Sequence, residues 1–142
     1  MKPRLNIVTL GVKDLQMAKL FYQKALDWQP TKDSDEHIVF FNHQGIILAL
    51  YPLEELAKDA EISPERKGFS GVTLAINLDS REQVDELYHS ILKKGGKSLV
   101  EPRETFWGGY DCYFADPDGN AWEIAWAPFW EFDEMGNLKM EV

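Results

Sequence analysis

Residues 113–124 read YFADPDGNAWEI, and the centre of that run is a tight turn between two alternating segments. Pro117 presets φ, Asp118 and Asn120 can bond to their own backbone, and Gly119 accepts the positive φ such turns require. Downstream, residues 121–127 (AWEIAWA) place Trp122, Ile124 and Trp126 on one face of a strand and Ala121, Glu123 and Ala125 on the other. Glu123 is thus a lone carboxylate between two small neighbours. Upstream, residues 110–116 (YDCYFAD) set Asp111 and Tyr113 against Cys112 and Phe114. Each pair contains an aromatic residue, so periodicity leaves open which pair shares the Glu123 face.

Further upstream, residues 71–77 (GVTLAIN) read as a strand, and Ser80-Arg81-Glu82-Gln83 as a capping box opening a helix. That helix turns Val84, Leu87, Tyr88, Ile91 and Leu92 inward and closes at Lys93, Lys94 and Gly95, where cations suit the dipole and glycine suits the cap. Residues 97–103 (KSLVEPR) form the next strand. Between it and the following strand, Phe106-Trp107-Gly108-Gly109-Tyr110 sets two glycines beside bulky aromatics, a pattern expected of a ligand-covering flap or of a turn whose aromatics cap the core.

The same order of elements occurs earlier in the chain. Val8-Thr9-Leu10 recurs as Val72-Thr73-Leu74, a duplication signal. Asp14 is a suitable N-cap for a helix carrying Leu15, Ala18, Phe21, Tyr22, Ala25 and Leu26 at helical spacing, stopping near Trp28-Gln29-Pro30. Residues 37–42 (HIVFFN), the turn Asn42-His43-Gln44-Gly45 and residues 45–51 (GIILALY) then read as a hairpin. The modules span about 1–52 and 69–128, joined by a charged linker, 53–68, with about one helical turn. The tail, 129–142, carries a Gly136-Asn137 turn signal and is too short for a second domain.

With 44% hydrophobic residues among 142, the chain can bury a core as one single domain. The longest uncharged apolar run, residues 45–53 (GIILALYPL), is well short of the ~20 residues of a membrane span, and residues 1–6 (MKPRLN) show no signal-peptide core. A net charge of −9 repels phosphate backbones and anionic lipid, which argues against nucleic-acid and membrane partners. The single cysteine, Cys112, excludes an internal disulfide and suits a reducing, cytoplasmic location. Its setting is that of a strand thiol.

Residues 113–124 resemble the C-terminal signature of the vicinal oxygen chelate superfamily, which holds glyoxalase I, bleomycin-resistance proteins and extradiol dioxygenases. Residues 8–22 (VTLGVKDLQMAKLFY) resemble its opening strand and helix. The resemblance implies an α+β fold of two tandem βαβββ modules whose curved sheet forms a cup, usually completed in a homodimer. It does not fix a reaction, because this fold serves isomerases, oxygenases, epimerases and binding proteins.

Metal-dependent members place four N or O donors in the cup, from the first and last strands of each module. Here those positions fall on Ile7, Ala49, Gly71 and Glu123, and only the last can coordinate, so no metal and no other cofactor is expected. His37, His43 and His89 show no metal-like spacing. The off-core sets Ile7, Thr9, Gly11 and Gly71, Thr73, Ala75 suit an organic ligand. The candidate ligand-binding residues are Thr9, Thr73, Phe106, Trp107, Tyr113 and Glu123, with Glu123 also the candidate catalytic group. Three readings stay open: metal-free binding of a small organic ligand, a metal-dependent lyase or dioxygenase of the glyoxalase type, and a metal-free enzyme using Glu123 as base. The alternative to a pocket role for Glu123 is a solvent-facing or structural strand carboxylate.

Overall fold

The computed structural model describes residues 1–141 and divides the chain into two compact units, Met1–Gly71 and a second beginning at Val72. The first unit runs β1 (Ile7–Val12), α1 (Leu15–Leu26), β2 (Val39–Asn42), β3 (Ile47–Pro52) and α2 (Leu53–Asp59). Its sheet has the order β1-β3-β2, with β1 parallel and β2 antiparallel to β3. Asp14 opens α1 by accepting the Met17 N–H at 3.0 Å. The helix stops where Asp27 turns left-handed, φ 56°, and its N–H returns to the Tyr22 carbonyl. Ala18, Phe21, Tyr22 and Ala25 are the buried stripe that spacing predicts, and Tyr22 stacks on Trp28 at 5.6 Å.

Two features of this unit differ from the expectation. It has three strands where a βαβββ module has four. The segment between α1 and β2 is consumed by local bonds: Asp35 Oδ1 accepts the N–H groups of His37 (2.7 Å) and Ile38 (3.0 Å), and Ser34 Oγ accepts that of Phe40 (2.9 Å). Such side-chain bonds compete with a strand ladder, and Pro30 removes a donor besides. Within 53–68, where about one helical turn is expected, α2 makes about two turns and packs on β1 and β3. Gly11 permits that seat, since a Cβ there would lie 2.6 Å from Leu53 Cδ1 and 3.2 Å from its Cα.

The second unit is a complete βαβββ arrangement: β4 (Thr73–Asn77), α3 (Arg81–Lys93), β5 (Lys97–Glu104), β6 (Tyr110–Ala115) and β7 (Ala121–Trp126), in sheet order β4-β7-β6-β5. Ser80 Oγ accepts the Gln83 N–H at 3.1 Å, and Gln83 Oε1 reaches back to the Asp79 N–H at 2.8 Å, so the capping box closes one residue early. Val84, Tyr88 and Ile91 of α3 are buried on the sheet side, each fully buried aliphatic side chain being worth roughly 1.5–3 kcal/mol. The edge strand β5 carries Pro102 and two register shifts, between Ser98 and Val100 and between Val100 and Arg103, features that blunt a sheet edge.

In each unit the first strand lies parallel beside the last. Ile7 pairs with Ile47 and Thr73 with Ala121, and each partner lies two residues after its turn glycine, Gly45 or Gly119. By pairing, Ile7 corresponds to Thr73 and Thr9 to Ala75. The Val-Thr-Leu match is therefore two residues out of step with the strand pairing, a shift that preserves faces because side chains alternate with period two. Gly71, exposed, lies two residues before β4. Among the described residues no helix is long and apolar enough to cross a membrane.

Candidate functional site

The second unit's sheet presents two unlike faces. One lies under α3: Tyr110 donates its hydroxyl to Asp85 at 2.7 Å, Arg81 sits over the rings of Tyr110 and Trp126 at 5.1 and 5.5 Å, and Phe114 stacks on Trp122. Cys112 shares this face, fully buried. Burial first, then the Asp111 charge, pushes its thiol up to about 12, so it supplies no thiolate near neutrality.

The other face, which no helix of this unit covers, carries Asp111 and Tyr113 together with Glu123. The question periodicity left open is settled by the register: Tyr113 pairs with Glu123, and Asp111 with Ala125 on one side and Arg103 on the other. Tyr113 donates its hydroxyl to Glu123 Oε2 at 3.1 Å. Arg103 Nε donates to Asp111 Oδ1 at 3.3 Å, and Asp111, only 3% exposed, in turn hydrogen-bonds the Glu123 carboxyl.

These contacts set the chemistry of Glu123. Its carboxyl is pushed up to about 7, first by burial and then by the hydrogen bond with Asp111, against the opposing pull of the Tyr113 hydroxyl and the Arg103 charge. Burial and the neighbouring Glu123 carboxyl raise Tyr113 as well. Around the carboxyl the lining is small: Ala75 is Glu123's partner on β4 and is exposed, Thr73 is exposed two residues away, and Ala121 and Ala125 flank it on β7. A partly buried acid that holds a proton near neutrality can donate to, accept from, or exchange a proton with a molecule lying against Thr73 and Ala75.

Of the residues singled out by sequence, Tyr113 and Glu123 are in contact, and Thr73 shares their face. Thr9 lies on β1 of the first unit, paired with Ala49. Phe106 and Trp107 sit in the β5–β6 turn, ahead of the first residue of β6. That turn is tied by Thr105: its N–H donates to the Gly109 carbonyl at 3.0 Å and its Oγ1 accepts the Gly109 N–H at 2.9 Å. Phe106 is wholly exposed, whereas Trp107 stacks on Trp130 at 5.6 Å and meets the edge of Phe129 at 6.5 Å. Arg103 escaped the sequence reading. Only the β5–β6 register could have revealed it, and two irregularities interrupt that register.

A divalent metal fits these residues poorly. Ile7, Ala49 and Gly71 carry no donor, Arg103 adds positive charge beside the two carboxyls, and no group of three or more His, Cys, Asp or Glu among the described residues could hold an ion. His37 and His89 are exposed, and His43 packs on Trp28 at 4.2 Å.

Comparison with known proteins agrees with this architecture. Residues 4–124 match the Glyoxalase/Bleomycin resistance protein/Dioxygenase superfamily, and the chain belongs to it. Among solved structures, a glyoxalase-related enzyme from Fulvimarina pelagi is 29% identical with a TM-score of 0.88, covering 98% of this chain and 99% of that one. A glyoxalase/bleomycin resistance protein/dioxygenase family enzyme from Burkholderia phytofirmans PsJN is 23% identical, TM-score 0.78, over 88% and 99% of the two chains. A lactoylglutathione lyase from Agrobacterium tumefaciens is 22% identical, TM-score 0.70, over 94% and 100%. The latter two likenesses speak to fold alone. No match was found among curated proteins.

Proposed function

We propose that this chain binds a small organic molecule on the Glu123 face of its second unit, without a metal ion, and holds it rather than transforming it. The observation that carries this reading is Glu123 itself: a partly buried carboxyl, oriented by Tyr113 at 3.1 Å and by Asp111, paired across the sheet with the small and exposed Ala75. Small-molecule sites are largely apolar with a few placed polar groups, and this face has that character. The family's reactions that run through a metal lack their donors here. The protein acts as a cytoplasmic homodimer in this reading, with the exposed apolar Leu5 and Ile7 of the first unit as surface for a second copy to cover.

One observation favours a second reading, a metal-free enzyme in which Glu123 transfers a proton: a carboxyl pushed up to about 7 is matched to acid-base work at neutral pH. Native mass spectrometry of protein purified without chelator separates the readings. A bound organic mass recovered unaltered, lost from Glu123→Gln, supports binding. Conversion of that compound by wild type and not by Glu123→Gln supports the enzyme. Stoichiometric divalent metal lost on Glu123→Ala would overturn both and restore a lyase or dioxygenase, and a monomer mass by light scattering would remove the dimer.

A further inference from the structure

A groove of about 340 Å³ lies wholly in the first unit, between α2 and residues 62–70. Its walls are apolar: Leu53, Leu56 and Ala57 come from α2, and Ile62 and Pro64 face them from the following segment. Ile62 is two-thirds exposed although its N–H is tied back to the Ala57 carbonyl at 3.0 Å, so an aliphatic side chain is held toward water by ordered backbone. The size and the apolar lining are those of a small-molecule site.

Among the residues that line the groove bases outnumber acids, the reverse of the chain's overall balance. The molecule carries −9, yet Arg66 and Lys67 are adjacent at the rim beside a single acid, Glu65. Lys67 Nζ lies 3.1 Å from Glu65 Oε1 with both side chains mostly in solvent, an exposed ion pair that exchanges partners at little cost. Arg66 Nη1 reaches the Gly11 carbonyl at 3.5 Å, which sets the guanidinium beside the corner where β1 meets α2.

We infer that this groove takes a small apolar monocarboxylate, its hydrocarbon body between Leu56 and Ile62 and its carboxylate at Arg66 and Lys67. The occupant is an anion because a lipophilic cation would meet two positive side chains, and it is small because the groove offers about 340 Å³.

Titrating the full chain with octanoate while recording backbone amide spectra tests this. Saturable shifts are expected at residues 53–57 and 62–68, weakened on the order of tenfold by Lys67→Glu and likewise by Ile62→Glu, an exposed position where the fold tolerates change. Glu123→Gln should leave these shifts unaltered, which separates this site from the face proposed above. Equal binding of octan-1-ol or octylammonium, indifference to Lys67→Glu, absence of saturation, or shifts centred on β6 and β7 would each overturn the inference.

Discussion

Gly109 shows how much a single residue can hide. From the sequence, Gly108-Gly109 beside Phe106 and Trp107 reads as a source of mobility. In the structure Gly108 supplies a positive φ of 92°, while Gly109 is space: a Cβ there would run into the Trp107 ring and lie 2.7 Å from the Trp126 carbonyl oxygen. Backbone cannot yield as a side chain can. Gly109→Ala is expected to destabilise by about 1–3 kcal/mol and to shift tryptophan emission to the red as Trp107 leaves Trp130; unchanged emission and unchanged denaturant midpoint would show that the turn adapts. The Glu123 site was legible in part for a related reason. Alternation assigns Glu123 its face from β7 alone, but its partners Asp111 and Arg103 come from two other strands, and cross-strand neighbours depend on register, which local pattern does not carry.

Elements governed by local chemistry were the legible ones. Asp14 and Ser80 cap the helices they were expected to cap, because an N-cap is a bond within three residues. Turns follow the same logic, and one five-residue design occurs twice. Asp116 accepts the N–H groups of Asp118 and Asn120 and the Asn120 side-chain amide, at 2.8–2.9 Å, with Gly119 at φ 81°. Asp133 does the same for Met135 and Asn137 at 2.9–3.0 Å, with Gly136 at φ 84°. The shared Asp-x-x-Gly-Asn spacing is sufficient for the geometry; burial decides its worth. Asp116 is 4% exposed and joins β6 to β7, so Asp116→Ala should cost about 1–3 kcal/mol by chemical denaturation. Asp133 lies at the surface of the tail, around the Phe132–Leu138 bridge, and Asp133→Ala should leave the global midpoint in place. Equal effects would contradict burial as the deciding factor. What local pattern missed, the strand absent from the first unit and the full length of α2, depends on competition between local bonds and long-range pairing or packing.

For the whole molecule, two groups in different units give folding stability opposing dependences on pH. Glu123 has an ordinary value of 4.5 and a folded value of about 7. As pH rises through that window the unfolded chain releases its proton first, the folded state binds more protons, and stability falls until about pH 7, then levels. His43 runs the other way. Burial lowers it from 6.5, and its Nε2 is buried without a hydrogen-bond partner. Falling pH therefore protonates the unfolded chain first, and stability present above 6.5 is lost below it. Glu123→Gln should accordingly raise the melting temperature at pH 8, by the equivalent of roughly 1–3 kcal/mol, and change little at pH 4. His43→Phe should gain most at pH 5, with a smaller gain at pH 8 where the orphaned nitrogen alone is removed. A chain at −9 also gains from losing any negative charge, so the exposed Glu86→Gln is the control for long-range repulsion. Thermal melts from pH 4 to 9 decide the matter: if Glu123→Gln tracks Glu86→Gln at every pH, the Glu123 carboxyl titrates like a surface acid, and the local account of burial and Asp111 fails.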